Sequence, residues 1–192
     1  MIDKHDVSSD NVVDFILELF ERRGPEAYLG EAVSMAEHME QSAACAVEDK
    51  ADESLVIAAL LHDIGHFIGD FPLDALENGI DNLHEEAGAA ILARYYPPEI
   101  SEPVRLHVPA KRYLCTVDPE YYGRLSEASI NSFNVQGGNM NAREVADFEA
   151  NPHHQSAMKL RYYDDDGKVE GRTINKIEEY RPLLEKWCNA KH

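Results

Sequence analysis

The sequence predicts an all-α fold. Apolar residues recur at helical spacing along most of the chain, Gly and Pro punctuate those runs, and no stretch alternates apolar with polar residues long enough to make a strand. Ser9 or Asp10 caps a first helix carrying Val12, Val13, Ile16, Leu17, Leu19 and Phe20, and Gly24-Pro25 ends it. A second helix is expected from about Glu31 to Asp49, with Val33, Ala36, Cys45 and Val47 on its apolar side and His38 in its middle. Asp52 caps a third, Glu53 to about His66, whose run LVIAALL is apolar all round and therefore belongs in the core. Gly69–Asn82 has no period and reads as a long surface loop of a length that is often functional. Leu83–Tyr95 resumes the helical period until Pro97-Pro98. The next helix is expected over Glu99–His107, with Pro103 tolerated near its start and Pro109 just beyond its end. Pro119 opens a short helix, Ser126–Phe133 another, Gln136–Asn139 is a turn, and Asn141 and Pro152 begin two more helices. The segment YDDDGKVEGRT suits a short turn or small hairpin near the C-terminus. A last amphipathic helix starts at about Asn175 and carries Ile177, Tyr180, Leu183, Leu184 and Trp187.

The 192 residues hold 18 Lys plus Arg against 36 Asp plus Glu, a formal net charge of −18. That excess repels phosphate backbones and anionic lipid, so no nucleic acid and no membrane partner is expected. A small anion stays admissible, because a few local cations or a metal invert the field inside a pocket. Cys45, Cys115 and Cys188 are odd in number and widely spaced, which suits a reducing compartment. The N-terminus lacks the pattern of a secretory signal, and the longest apolar run, Leu55–Leu61, is far short of the ~20 residues of a membrane helix. These features predict one cytoplasmic domain over residues 1–192, without repeats or linkers.

Five of the nine histidines, His38, His62, His66, His84 and His107, fall in or at the ends of expected helices. The run Leu60-Leu61-His62-Asp63-Ile64-Gly65-His66 ends a wholly apolar helix with three titratable groups. Burying them unpartnered would cost on the order of 2 to 7 kcal/mol each, a cost that metal coordination removes. Imidazole nitrogen and carboxylate oxygen together suit iron, manganese or zinc. His62 and His66 share a helix face at i, i+4, while His62 and Asp63 point ~100° apart and can flank one centre or bridge two.

In these residues the chain resembles the HD-domain superfamily, whose signature is a lone His, a His-Asp pair and later His and Asp ligands on a helical scaffold. The order His38, His62-Asp63, His84, His107, Asp164 resembles the six-ligand version of the mixed-valent diiron oxygenases, the group that includes myo-inositol oxygenase. Tyr28-Leu29-Gly30-Glu31, His107-Val108-Pro109-Ala110-Lys111-Arg112-Tyr113-Leu114, Leu125-Ser126-Glu127-Ala128-Ser129, Gln136-Gly137-Gly138 and Lys159-Leu160-Arg161 are similar to the members that cleave the carbon–phosphorus bond of 1-hydroxy-2-aminoethylphosphonates. The resemblance spans a motif-bearing core of about Tyr28 to Lys168.

The resemblance implies an HD-domain helical bundle holding two iron ions, Fe(II) and Fe(III), with dioxygen as co-substrate. One iron would take His38, His62, Asp63 and Asp164, the other Asp63, His84 and His107, with Asp63 bridging and open positions left for a chelating substrate. His62, Asp63 and His66 form the implied catalytic set. Lys111 and Arg161 would hold the phosphonate with Ser129 and Gln136, His66 would lie close to it, and Tyr28 and Glu31 would stand near the cationic amine end. Lys168, His153 and His154 are set aside as non-site residues, the two histidines as exposed. The implied reaction breaks the carbon–phosphorus bond and leaves a carboxylate and phosphate: glycine betaine from the N-trimethyl substrate, glycine from the primary amine. Glu77 and Asp81 add acid before His84 and point to the bulkier, permanently cationic head. Two other readings stay open, a metal-dependent phosphohydrolase on the same scaffold and a non-catalytic metal or ligand sensor.

Overall fold

The computed structural model describes residues 2, 4–28, 30–69 and 80–189; the body of the loop before His84, with Glu77, lies outside them. Among the described residues the regular elements are helices, and the one β contact is an isolated bridge between Ala27 and Ser34. They are α1 (Val12–Arg23), α2 (Met35–Glu48), α3 (Glu53–Leu61), α4 (Gly65–Ile68), α5 (His84–Leu92), α6 (Pro98–Val117), α7 (Pro119–Tyr122), α8 (Glu127–Val135), α9 (Ala142–Glu149), α10 (His154–Asp166) and α11 (Arg181–Asn189), with a 3₁₀ turn at Ile177–Tyr180.

The apolar run of α3 lies at the centre, with Ile57 through Leu61 wholly buried. Each large side chain there contributes about 1.5 to 3 kcal/mol by leaving water. Around it pack α2, α6 and α10, while α5 crosses α6 and α4 crosses α5. Val13, Ile16 and Phe20 of α1 and Leu184 of α11 close the same core. A second cluster, Leu106, Ala110, Met140, Phe148 and Ala157, joins α6 to α9 and α10.

Several elements depart from the expected boundaries. Asn11, not Ser9 or Asp10, precedes α1. α2 starts at Met35 because Ser34 and Glu37 form a reciprocal capping box, so Glu31 belongs to the turn before the helix. The expected helix over Glu53–His66 is two pieces: α3 ends at Leu61, and tight i→i+3 bonds from Ile64 to Leu61 and from His66 to Asp63 carry the chain into α4. α6 runs on through Pro109 for ten residues beyond His107. Buried Val108, Ala110, Leu114 and Cys115 hold that second half in place against the cost of a missing backbone donor. The aspartates 164–166 form the last turn of α10, with Gly167 as its cap, and the following segment makes no hairpin. His153 and His154 are half-buried rather than exposed, and they lie away from the site described next.

Candidate metal centre and anion pocket

Four imidazoles converge from four elements. His38 comes from the middle of α2, His62 from the C-cap of α3, His84 from the first position of α5 and His107 from the middle of α6. Each directs Nδ1 at an oxygen that can only accept: Gly167 O at 2.9 Å, Ala59 O at 2.8 Å, Asn82 Oδ1 at 3.0 Å and Val104 O at 2.7 Å respectively. In the neutral ring the proton therefore sits on Nδ1 and leaves Nε2 as a bare lone pair. The four Nε2 atoms face one another in pairs, His38 to His62 at 3.0 Å and His84 to His107 at 3.1 Å.

Asp63 stands between the pairs. Its Oδ2 lies 3.4 Å from His62 Nε2 and 3.6 Å from His38 Nε2, and its Oδ1 lies 3.2 Å from His84 Nε2 and 3.4 Å from His107 Nε2. Asp164 joins the first pair, with Oδ1 3.4 Å from His38 Nε2 and, among the described residues, without a hydrogen-bond partner, although that oxygen is buried. Lone pairs aimed at lone pairs in a buried space need cations. Two sets of side chains, His38 with His62 and Asp63, and Asp63 with His84 and His107, can each hold a metal ion. The mixed nitrogen and oxygen donors suit a borderline first-row metal, and the opposed oxygens of Asp63 are placed to bridge.

The charges agree with this. Burial alone would raise the Asp63 carboxyl, but the charge of His62 and the imidazoles of His107, His62 and His84, 3.2 to 3.4 Å from its oxygens, hold it well below the usual carboxylate range. Asp164 is likewise held low against burial by the Arg161 guanidinium and by His38. Burial is the largest single effect on His62 and lowers it, but the charge and hydrogen bond of Asp63, the charge of Asp164 and the Ala59 carbonyl together outweigh it and lift the imidazole to about 8, so the metal-free centre keeps a proton that a metal would displace.

Beside the pairs lies a pocket that opens to solvent. Every sequence-predicted site residue except His38 and His62 lines it: Tyr28, Glu31, Asp63, His66, His84, His107, Lys111, Ser129, Gln136, Arg161 and Asp164. His38 and His62 stand behind, wholly buried, with the Tyr28 ring stacked on His38 at 4.0 Å between centroids. Lys111 lies one helical turn after His107 and donates to Ser132 Oγ at 2.7 Å. Burial and the neighbouring Arg161 charge bring its ammonium down to about 7. The Arg161 guanidinium reaches the wall but also pairs with Asp164 and Asp165 and donates to the Tyr121 hydroxyl at 3.0 Å, so it orients Asp164 as well as supplying charge. Glu31 accepts from Ser126 Oγ at 2.6 Å. His66 is kept neutral first by burial and then by the charge of His84, and its Nε2 is buried without a partner among the described residues.

The sequence reading missed Val108, Ala128, Ser132 and Lys168 on this wall. Ser132 was findable, because Ser129, Ser132 and Gln136 recur at helical spacing along α8 and its cap. Lys168, set aside from sequence, is a correction: its ammonium donates to Ser129 Oγ at 2.9 Å, stands 3.6 Å from Glu31 and 3.9 Å from Asp164, and lies 5.8 Å from the Tyr28 ring centroid. Asp81, read from sequence as added acid before His84, accepts the Leu83 N–H at 3.2 Å. Two supports also went unread. Asn82 holds His84, and Gly167, packed so close that a Cβ would stand 2.5 Å from Ser42 Oγ, holds His38.

A helical scaffold with a His-Asp pair at the end of its central helix defines a class, and the HD domain family model matches residues 9–127. The chain belongs to the HD-domain family. Its relatives there include the [1-hydroxy-2-(trimethylamino)ethyl]phosphonate dioxygenase (glycine-betaine-forming) of Leisingera caerulea, 46% identical over 192 residues that cover 98% of this chain and 97% of that one. The chain is also similar to the hydroxymethylphosphonate dioxygenase of Gimesia maris, 41% identical over 175 residues that cover 90% of this chain and 86% of that one. The HD match ends before Ser129, Gln136, Arg161 and Asp164, which the longer alignment to the first relative spans. Among the described residues no helix is long and apolar enough to cross a membrane.

Proposed function

We propose that this protein is an oxygen-dependent phosphonate dioxygenase with two iron ions, acting on 1-hydroxy-2-(trimethylammonio)ethylphosphonate and releasing glycine betaine and phosphate. The observation that carries the reading is the position of Asp63, one oxygen toward each pair of bare imidazole nitrogens, beside a pocket furnished with Lys111 and Arg161. Likeness over the full length to a dioxygenase with that named substrate supports it. In this reading His38, His62, Asp63 and Asp164 hold one ion and Asp63, His84 and His107 the other. Residues 1–192 act as a single domain around the motif-bearing core, and the protein works in the cytoplasm.

The overall change balances with dioxygen alone. The carbinol C–H and the C–P bond break, one oxygen atom enters the carboxylate and one the phosphate, and one proton is released. The metal pair, when bound, supplies dioxygen activation and the one-electron steps. The chain binds and orients. Lys111 and Arg161 supply positive charge to the phosphonate, and the Lys111 ammonium and the His66 Nε2–H donate to its oxygens. Ser129, Ser132 and Gln136 line the same wall of polar groups. At the far end Glu31 and the Tyr28 ring offer a carboxylate and a π face to a quaternary ammonium.

The test is phosphate release by iron-loaded protein from the trimethylammonio, primary-amine and hydroxymethyl substrates, with and without dioxygen. Oxygen-dependent release, fastest with the trimethylammonio compound, is expected. Hydrolysis of phosphoesters under nitrogen would return the protein to the hydrolytic HD enzymes, and metal binding without turnover would make it a sensor.

A further inference from the structure

Asn82 sits between two histidines of the site. Its Oδ1 accepts from the backbone N–H of His84 at 3.3 Å and from Nδ1–H of the same residue at 3.0 Å. A backbone N–H can only donate, so the amide oxygen is pinned to that side and Nδ2 must face the other way. There Nδ2 donates to His66 Nδ1 at 3.2 Å. A neutral imidazole that accepts at Nδ1 carries its proton on Nε2, and His66 Nε2 is the buried, unpartnered atom at the pocket. The two rings stack at 4.0 Å between centroids, 18° from parallel. One amide thus faces both rings and places their protons on opposite nitrogens.

We propose that Asn82 is a positioning residue for both halves of the site: it presents the bare Nε2 of His84 to a metal ion and the Nε2–H of His66 to an oxygen of the anionic substrate. The second half rests on the phosphonate reading above. Asparagine suits the place because it carries an acceptor and a donor on one short planar group without charge. A carboxylate keeps the acceptor toward His84 and loses the donor toward His66, and an aliphatic side chain loses both.

The test compares Asn82→Asp and Asn82→Leu in the full chain by three readouts: metal per chain after reconstitution, ¹⁵N-histidine spectra of the metal-free protein, and the KM and kcat split for the trimethylammonio phosphonate. Asn82→Asp is expected to keep its metal, move the His66 proton to Nδ1 and raise KM about tenfold, with kcat changed far less. Asn82→Leu is expected to weaken metal binding on the His84 side about 10- to 100-fold as well. His66 still protonated on Nε2 in Asn82→Asp, or full metal affinity in Asn82→Leu, overturns the proposal. If the wild-type chain turns over no phosphonate, the functional reading fails by itself. The nitrogen assignment and the metal count need no substrate and still decide the role of Asn82.

Discussion

The backbone oxygen of Gly167 accepts the Nδ1–H of His38 at 2.9 Å, joining the C-cap of α10 to the middle of α2 across 129 positions of sequence. The same cap ends the helix that carries Asp164, so one glycine fixes the tautomer of one candidate ligand and the place of another. Its φ of −83° suits any residue. What requires glycine is closeness, since a Cβ would stand 2.5 Å from Ser42 Oγ and 3.0 Å from the His38 carbonyl oxygen.

Gly167→Ala is therefore expected to destabilise the fold by about 1 to 3 kcal/mol. It should also weaken metal binding on the His38 side. Thermal unfolding and metal content after reconstitution check both, and a variant with unchanged metal content would show that His38 needs no such fixing.

Removing Asp63 should differ in kind from removing a histidine. Asp63→Ala is expected to lose both ions, His84→Ala the one it shares with His107, and His38→Ala the other. Metal analysis of the three variants reads this directly. Two ions retained in Asp63→Ala would rule out a bridge.

Lys111 gives the pH dependence its sign. Its folded pKa is lowered from 10.5 to about 7, so the free protein loses the ammonium as pH rises through 7, and a phosphonate must bring the proton back. kcat/KM is expected to fall about tenfold per pH unit above 7 on this limb, and Lys111→Met should abolish the limb. Between 7 and 10.5 the unfolded chain holds the extra proton, so this lysine makes the fold more stable as pH rises across that window. A pH profile unchanged in Lys111→Met would assign the limb to another group.

Lys168 places a cation where the cationic head of the substrate would lie, 3.6 Å from Glu31 and over the Tyr28 ring. Lys168→Met is expected to shift the ratio of kcat/KM values toward the trimethylammonio substrate and away from hydroxymethylphosphonate, by about fivefold. An equal loss with both substrates would instead make Lys168 part of the phosphonate site.

Much of the scaffold was legible because its signals are local. The apolar run of α3, the glycine and proline stops and the asparagine cap of α9 act within a few residues. The capping box of Ser34 and Glu37 is just as local, and reading it would have moved the start of α2 to its true place. α6 is different: Pro109 is a genuine stop signal, overridden by apolar side chains that pack on distant α9 and α10. Asp164 looked like part of a polar turn, yet the last turn of α10 buries it against Arg161 and His38.

By itself the sequence determined the helical class, the central apolar helix with its terminal His-Asp pair, and the residue types able to hold a metal and an anion. Those follow from periodicity and from the cost of burying charge, which the order of residues already encodes. Tertiary structure alone decided which nitrogen of each imidazole is bare, that Asp63 divides its oxygens between two pairs, that Lys168 reaches the pocket, and that Asn82 and Gly167 hold His84 and His38. Hydrogen-bond direction and close approach depend on what another helix brings within about 3 Å, and residues far apart in the chain carry no local mark of that meeting.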